Sequence, residues 1–210
     1  MDIKDSTIAI VHDWFLKGSF GGSEKVTLTL NNFLNENYSN PDIFSLTSNI
    51  QNSKNNTLQT SKIKTSFIQS LQFCKTNVQS YLPFLPYAIE QLDLRKYDLI
   101  ISSSHAFAKG ILTSPDQLHI SYVHTPMRYA WDQMHTYLAQ SNLSKLGFEF
   151  PIRLMLYKLR EWDFYSSQRL DYIISNSNFT SQRIKKYWGL ESEVIHPPVD
   201  IKRFKYSYCS

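Results

Sequence analysis

A chain of 210 residues with 42% apolar content suits one sizeable domain, or one large domain with a short tail. A formal charge of +4 and a pI near 8.9 lack the dense basic stripe that nucleic acid needs, so no nucleic-acid partner is expected, though anionic lipid or phosphate would suit. The opening residues (Asp2, Lys4, Asp5, then a short apolar run) do not form a signal peptide, no run reaches the roughly 20 apolar residues of a membrane span, and Cys74 and Cys209 form neither metal motif nor disulfide framework; the expectation is a cytoplasmic protein, peripheral at most on the inner face of a membrane.

Residues 7–11 are apolar and β-branched, the pattern of a buried first strand. His12-Asp13-Trp14 follows it, then the loop Gly18-Ser19-Phe20-Gly21-Gly22 and a helix capped near Ser23, in which Val26, Leu30, Phe33 and Leu34 recur at helical spacing. Residues 42–46 read as a second strand and the polar stretch 47–60 as a mobile loop. Short helices are predicted over 66–73 and 84–92, and strands over 98–102 and 118–123. Helices follow over 129–138 and 152–170, then a strand over 171–175. Ser177 caps a helix through Trp188 that Gly189 ends, and 193–196 make a last short strand before Pro197-Pro198. Roughly six strands alternating with helices predict an α/β fold: a Rossmann-like, doubly wound, mostly parallel sheet.

Four features carry chemistry. Gly21-Gly22, at a helix start, allows close backbone approach and favours an anion there, although a plain tight turn explains the same pair and the G-x-G-x-x-G spacing is absent. His105 and His124 each stand just past a predicted strand, where open α/β sheets place ligands, and each can donate to a substrate oxygen at neutral pH. In the run from His124 to Asp132, Arg128 and Asp132 are spaced for an i,i+4 ion pair, while Tyr129 and Trp131 either stack on a sugar or cover the core. Residues 148–162 mix Arg153, Lys158 and Arg160 with aromatic and aliphatic residues, which fits a helix on a bilayer surface or a core-packed helix with a solvated basic edge. Arg183, Lys185 and Lys186 read as the solvated face of their helix.

Several blocks together go further. They are 8–14 with 21–25, Leu82-Pro83 with 88–94, 97–106, 124–132, Asn176-Ser177-Asn178-Phe179, and 194–200. In this order they resemble family 4 (GT4) glycosyltransferases, and within it the bacterial group that includes O-antigen mannosyltransferases. The resemblance implies half of a GT-B fold, in which two Rossmann-like domains face each other across a cleft. It also implies a retaining, metal-independent reaction without a cofactor, from a nucleotide sugar to a polysaccharide or lipid-linked acceptor.

On that resemblance, residues 1–197 are the N-terminal, acceptor-side domain and 198–210 the start of the interdomain linker. Gly21 and Gly22 fall near the donor phosphates and His124 beside the transferred hexosyl or mannosyl group as the catalytic residue, while His105, Arg128 and Trp131 shape the acceptor pocket. The family's donor half, with its Arg/Lys pair and E-x7-E motif, does not follow Phe204. The expectation is therefore a truncated glycosyltransferase, with activity of the lone chain open because those cations stabilise the leaving group. The alternatives are a non-catalytic acceptor-binding module or one half of a split enzyme with a separate donor-binding domain. A lone domain is also expected to expose its cleft face and self-associate. An unrelated nucleotide-dependent epimerase is disfavoured, since a Tyr-x-x-x-Lys pair is absent too.

Overall fold

The computed structural model describes residues 6–16, 21–49, 63–74, 76–141 and 144–199. Among these, seven strands form one sheet: β1 (Ile8–Phe15), β2 (Asp42–Ser48), β3 (Ile63–Thr65), β4 (Leu99–Ser104), β5 (Leu118–Val123), β6 (Tyr172–Ser175) and β7 (Glu193–Val194). Every pairing is parallel, in the spatial order β3-β2-β1-β4-β5-β6-β7. The order runs leftward from β1 to β3 and rightward from β4, so the chain changes direction between β1 and β4. A Rossmann-like sheet binds ligands at that point, outside the carboxyl ends of its strands.

β1 lies at the centre because both its faces are apolar. Ile8 and Ile10 pack under α1 (Gly22–Asn37) with Leu30 and Leu34. Ala9 and Val11 face the other side, where α2 (Leu85–Glu90) and α4 (Glu149–Ser167) supply Leu85, Ala88, Ile89, Leu156 and Leu159. Each fully buried Ile, Leu or Val among them contributes about 1.5–3 kcal/mol relative to an exposed one. α3 (Met134–Gln140) and α5 (Asn178–Trp188) complete the helices, and α5 ends at Gly189, whose φ of +70° is strained for any residue with a Cβ.

Several boundaries move. β1 continues through His12, Asp13 and Trp14, because Trp14 and Phe15 still pair with Thr47 and Ser48 of β2. Thr47 and Ser48 therefore leave the predicted loop, and its part from 50 to 60 lies outside the described residues, as do Gly18, Ser19, Phe20 and the end from 200 onward. β3, three residues at the sheet edge, is too short to show a period. The predicted helix over 66–73 reduces to a 3₁₀ turn at Phe67–Ser70. Similarly, 3₁₀ turns over Val78–Phe84 lead into α2.

The predicted helix over 129–138 starts only at Met134, and residues 127–133 form turns. On α4, Leu156 and Leu159 are core, while Phe150, Leu154 and Tyr157 are exposed. Arg153 pairs with Glu149 and Lys158 with Glu161 on its solvent side. Among the described residues no helix is long and apolar enough to cross a membrane.

Candidate functional site

A cleft of about 680 Å³ opens over the carboxyl tips of the central strands. Gly21, Gly22, His105, His124 and Arg128 all line it, so five of the six residues singled out from the sequence come together. Trp14, Glu24, Tyr129, Asn176 and Arg183 share the wall. Trp131 does not. Its ring stacks on Tyr187 at 4.8 Å and its Nε1 donates to Asp163 Oδ2 at 2.8 Å, which places the indole in the packing behind the wall.

The floor is organised by Asp13, wholly buried at the end of β1. Its carboxylate accepts backbone N–H bonds from His105 (2.6 Å), Ala106 (3.2 Å) and Ala108 (2.8 Å), and a shorter one from Phe107. Nδ1 of His105 lies 3.0 Å from Asp13 Oδ2. Burial opposes the charge on Asp13. The two histidines His105 and His12 and the N–H donors outweigh it and hold the carboxyl below its usual range. One carboxylate thus clamps the loop after β4 and sets the place of His105, whose ring also meets the Trp14 edge at 4.7 Å.

A second chain of contacts sets His124. Ser103 Oγ lies 2.9 Å from His124 Nε2, and Thr27 of α1 donates to Ser103 Oγ at 2.9 Å. His12 Nδ1 donates to the Ser103 carbonyl at 3.0 Å, which leaves its buried Nε2 as an unprotonated nitrogen without a partner among the described residues. Burial and the neighbouring His12 and His105 depress His124 to about 3. Burial, with His105 beside it, takes His12 to about 4. Both rings are therefore neutral at pH 7, and His124 Nδ1 has no protein partner among the described residues.

At the start of α1, Glu24 Oε2 accepts from the Gly21 N–H and from Ser23 Oγ, each at 2.9 Å. A glutamate three residues into a helix satisfies the free N–H groups there and complements the helix dipole. A Cβ on Gly22 would meet nothing within 4 Å, so packing within the chain does not require glycine at that position.

The expected Arg128–Asp132 pair does not form. Residues 127–133 are turns, in which Gln133 N–H bonds Arg128 O, so the i,i+4 helical spacing is lost. Asp132 Oδ1 instead holds Arg183 at 2.7 Å. Arg183 is consequently 9% exposed, which corrects its reading as a solvated residue, whereas Lys185 stays outside and pairs with Glu191. Among the described residues no three His, Cys, Asp or Glu side chains are grouped as metal ligands.

The sequence reading missed the roles of Asp13, Thr27, Ser103 and Arg183. Asp13 carried a signal, a charged residue two positions after an apolar run. Its four N–H partners lie more than 90 residues away, and local spacing says nothing about them.

No curated protein matches this chain. The model of Glycosyltransferase Family 4 matches residues 20–203, a span that takes in the start of α1, both histidines, Arg128 and Arg183. The chain belongs to glycosyltransferase family 4.

Proposed function

We propose that the cleft transfers a hexosyl unit, mannosyl in the nearest resemblance, from a nucleotide sugar to a polysaccharide or lipid-linked acceptor. Residues 1–197 act as the acceptor-side half of a GT-B arrangement, and 198–210 begin the crossing to a donor-binding domain. The observation that carries this reading is the pair of histidines at adjacent strand tips, with His124 kept neutral by burial, anchored at Nε2 and open at Nδ1. With the Ser103 hydroxyl donating to Nε2, Nδ1 carries the proton and donates to an oxygen of the transferred sugar.

In transfer, the bond from the anomeric carbon to the donor phosphate breaks and one to the acceptor oxygen forms, and the acceptor's proton leaves with the phosphate. Gly21 and Gly22 admit the donor phosphates through open backbone. His105 and Arg128 contact the acceptor, and Trp131 supports the turn of Arg128 from behind. No metal or cofactor is invoked beyond the sugar donor. Exposed Phe150, Leu154 and Tyr157 on α4 support peripheral contact with the inner face of a membrane.

A second reading is an acceptor-binding module that leaves the donor phosphates to another domain or polypeptide. It is favoured by Glu24, whose carboxylate already occupies the N–H group of Gly21 where a phosphate would sit.

Ring-¹⁵N histidine signals, followed while nucleotide sugars and an extracted lipid-linked glycan are added, test both. Shifts at His105 and His124, with His119 and His135 unmoved, are expected for transfer. Shifts with glycan alone would support the module. No shift at either cleft histidine with any ligand would overturn the cleft as the site.

A further inference from the structure

One wall of the cleft carries more positive charge than the chain balances. Arg128 is exposed and pairs with no carboxylate among the described residues, because Asp132 of its own turn holds Arg183. Arg183 lies against the rings of Phe179 and Tyr187 at 5.8 and 5.7 Å, and its Nε is buried without a hydrogen-bond partner among the described residues. A buried donor with no acceptor is unfavourable, so the unpartnered Arg183 Nε suits a ligand that accepts hydrogen bonds.

The opposite wall differs. There Glu24 binds the Gly21 N–H, and the cleft's cations, Arg128 and Arg183, both lie on the β5–α5 side. The sheet order separates the two ends: Gly21 and Gly22 follow β1, Arg183 follows β6, and His105 and His124 lie between, after β4 and β5. An anion on Arg183 is thus held on the far side of the histidines from the glycines.

We propose that Arg128 and Arg183 form an oxyanion subsite that holds the phosphate of a phosphorylated acceptor. Two guanidinium groups against one carboxylate leave a net positive charge, and guanidinium donors match phosphate oxygens in geometry. The word acceptor rests on the transferase reading above. The anion site itself rests on this wall alone.

Calorimetric titration with inorganic pyrophosphate tests it. The full chain is expected to bind one equivalent, more weakly as salt rises. Arg128→Gln and Arg183→Lys should each weaken binding about tenfold, and Lys185→Gln, which removes a solvent-facing cation paired with Glu191 outside the cleft, should leave it unchanged. Arg183→Lys keeps a charge for Asp132, so its loss of affinity does not depend on breaking that pair. A soluble prenyl diphosphate should displace pyrophosphate and a nucleoside diphosphate should not.

Absence of binding, or binding untouched in both arginine variants, would overturn the subsite. Displacement only by the nucleoside diphosphate would assign the anion to the donor side. Either result would overturn the proposal while leaving the transferase reading intact.

Discussion

Asp13 Oδ2 and Nδ1 of His105 lie 3.0 Å apart although 92 residues of chain separate them. The same carboxylate accepts the N–H groups of residues 105–108, so the tip of β1 and the loop after β4 move as one piece. Asp13→Asn replaces an acceptor oxygen with an amide that donates into N–H groups. It is expected to cost about 3 kcal/mol or more in urea unfolding, because it leaves buried donors unpaired and removes a charge from His105. A loss below about 1 kcal/mol would show that the clamp contributes little.

Acid should weaken the fold early. Burial depresses His12 to about 4, and His119 and His124 to about 3, whereas the unfolded chain titrates near 6.5. Below pH 6.5 the unfolded state binds more protons, so stability falls with pH until the folded values are reached, by up to about 1.4 kcal/mol per pH unit for each ring. Asp13, held below its usual range, stays ionised over the same interval and adds nothing to the slope. Thermal melts should be level above pH 7 and drop steeply between 6.5 and 4.5. A level melting temperature across that interval would contradict neutral buried rings.

Lys109 and Asp163 test the packing behind the site. Lys109 Nζ lies 2.9 Å from Asp163 Oδ1 and donates to Ser166 Oγ at 2.7 Å, with Trp162 and Trp188 rings on it at 4.9 and 5.1 Å. Asp163 Oδ2 accepts the indole N–H of both Trp131 and Trp188 at 2.8 Å. Lys109→Met is expected to cost about 3–5 kcal/mol by stranding a buried carboxylate, and adding Asp163→Asn should recover part of it. Denaturant midpoints of the single and double variants decide the point, and strict additivity would mean the two side chains are not coupled.

The sheet is legible in the sequence wherever a strand is buried on both faces. Residues 8–11 and 99–101 are continuous apolar runs of this kind, as parallel central strands favour, whereas 118–123 interleaves the buried His119 and Ser121. The two cleft histidines are legible through those strands, His124 directly after residue 123 and His105 past the three serines that follow residue 101. What escapes is set by distant partners. The apolar pattern ends the strand before His12 and Asp13 because they are polar, yet they continue β1 once β2 and β4 pair with it. Arg183 reads as solvated because Asp132, which draws it in, stands 51 residues earlier. Trp131 sits one turn from Arg128 in the chain, but Asp163 and Tyr187 take its ring to the other side of the wall.

The most direct test of the central claim is transfer of labelled sugar from a panel of nucleotide sugars to a membrane extract. Wild-type chain and His124→Ala should be compared, each alone and with a candidate donor domain added. Transfer of one sugar by the wild type, cut about a hundredfold or more in His124→Ala, is the predicted result. Equal transfer by both proteins would contradict the role of His124, and no transfer under any condition would contradict the cleft as a transferase site.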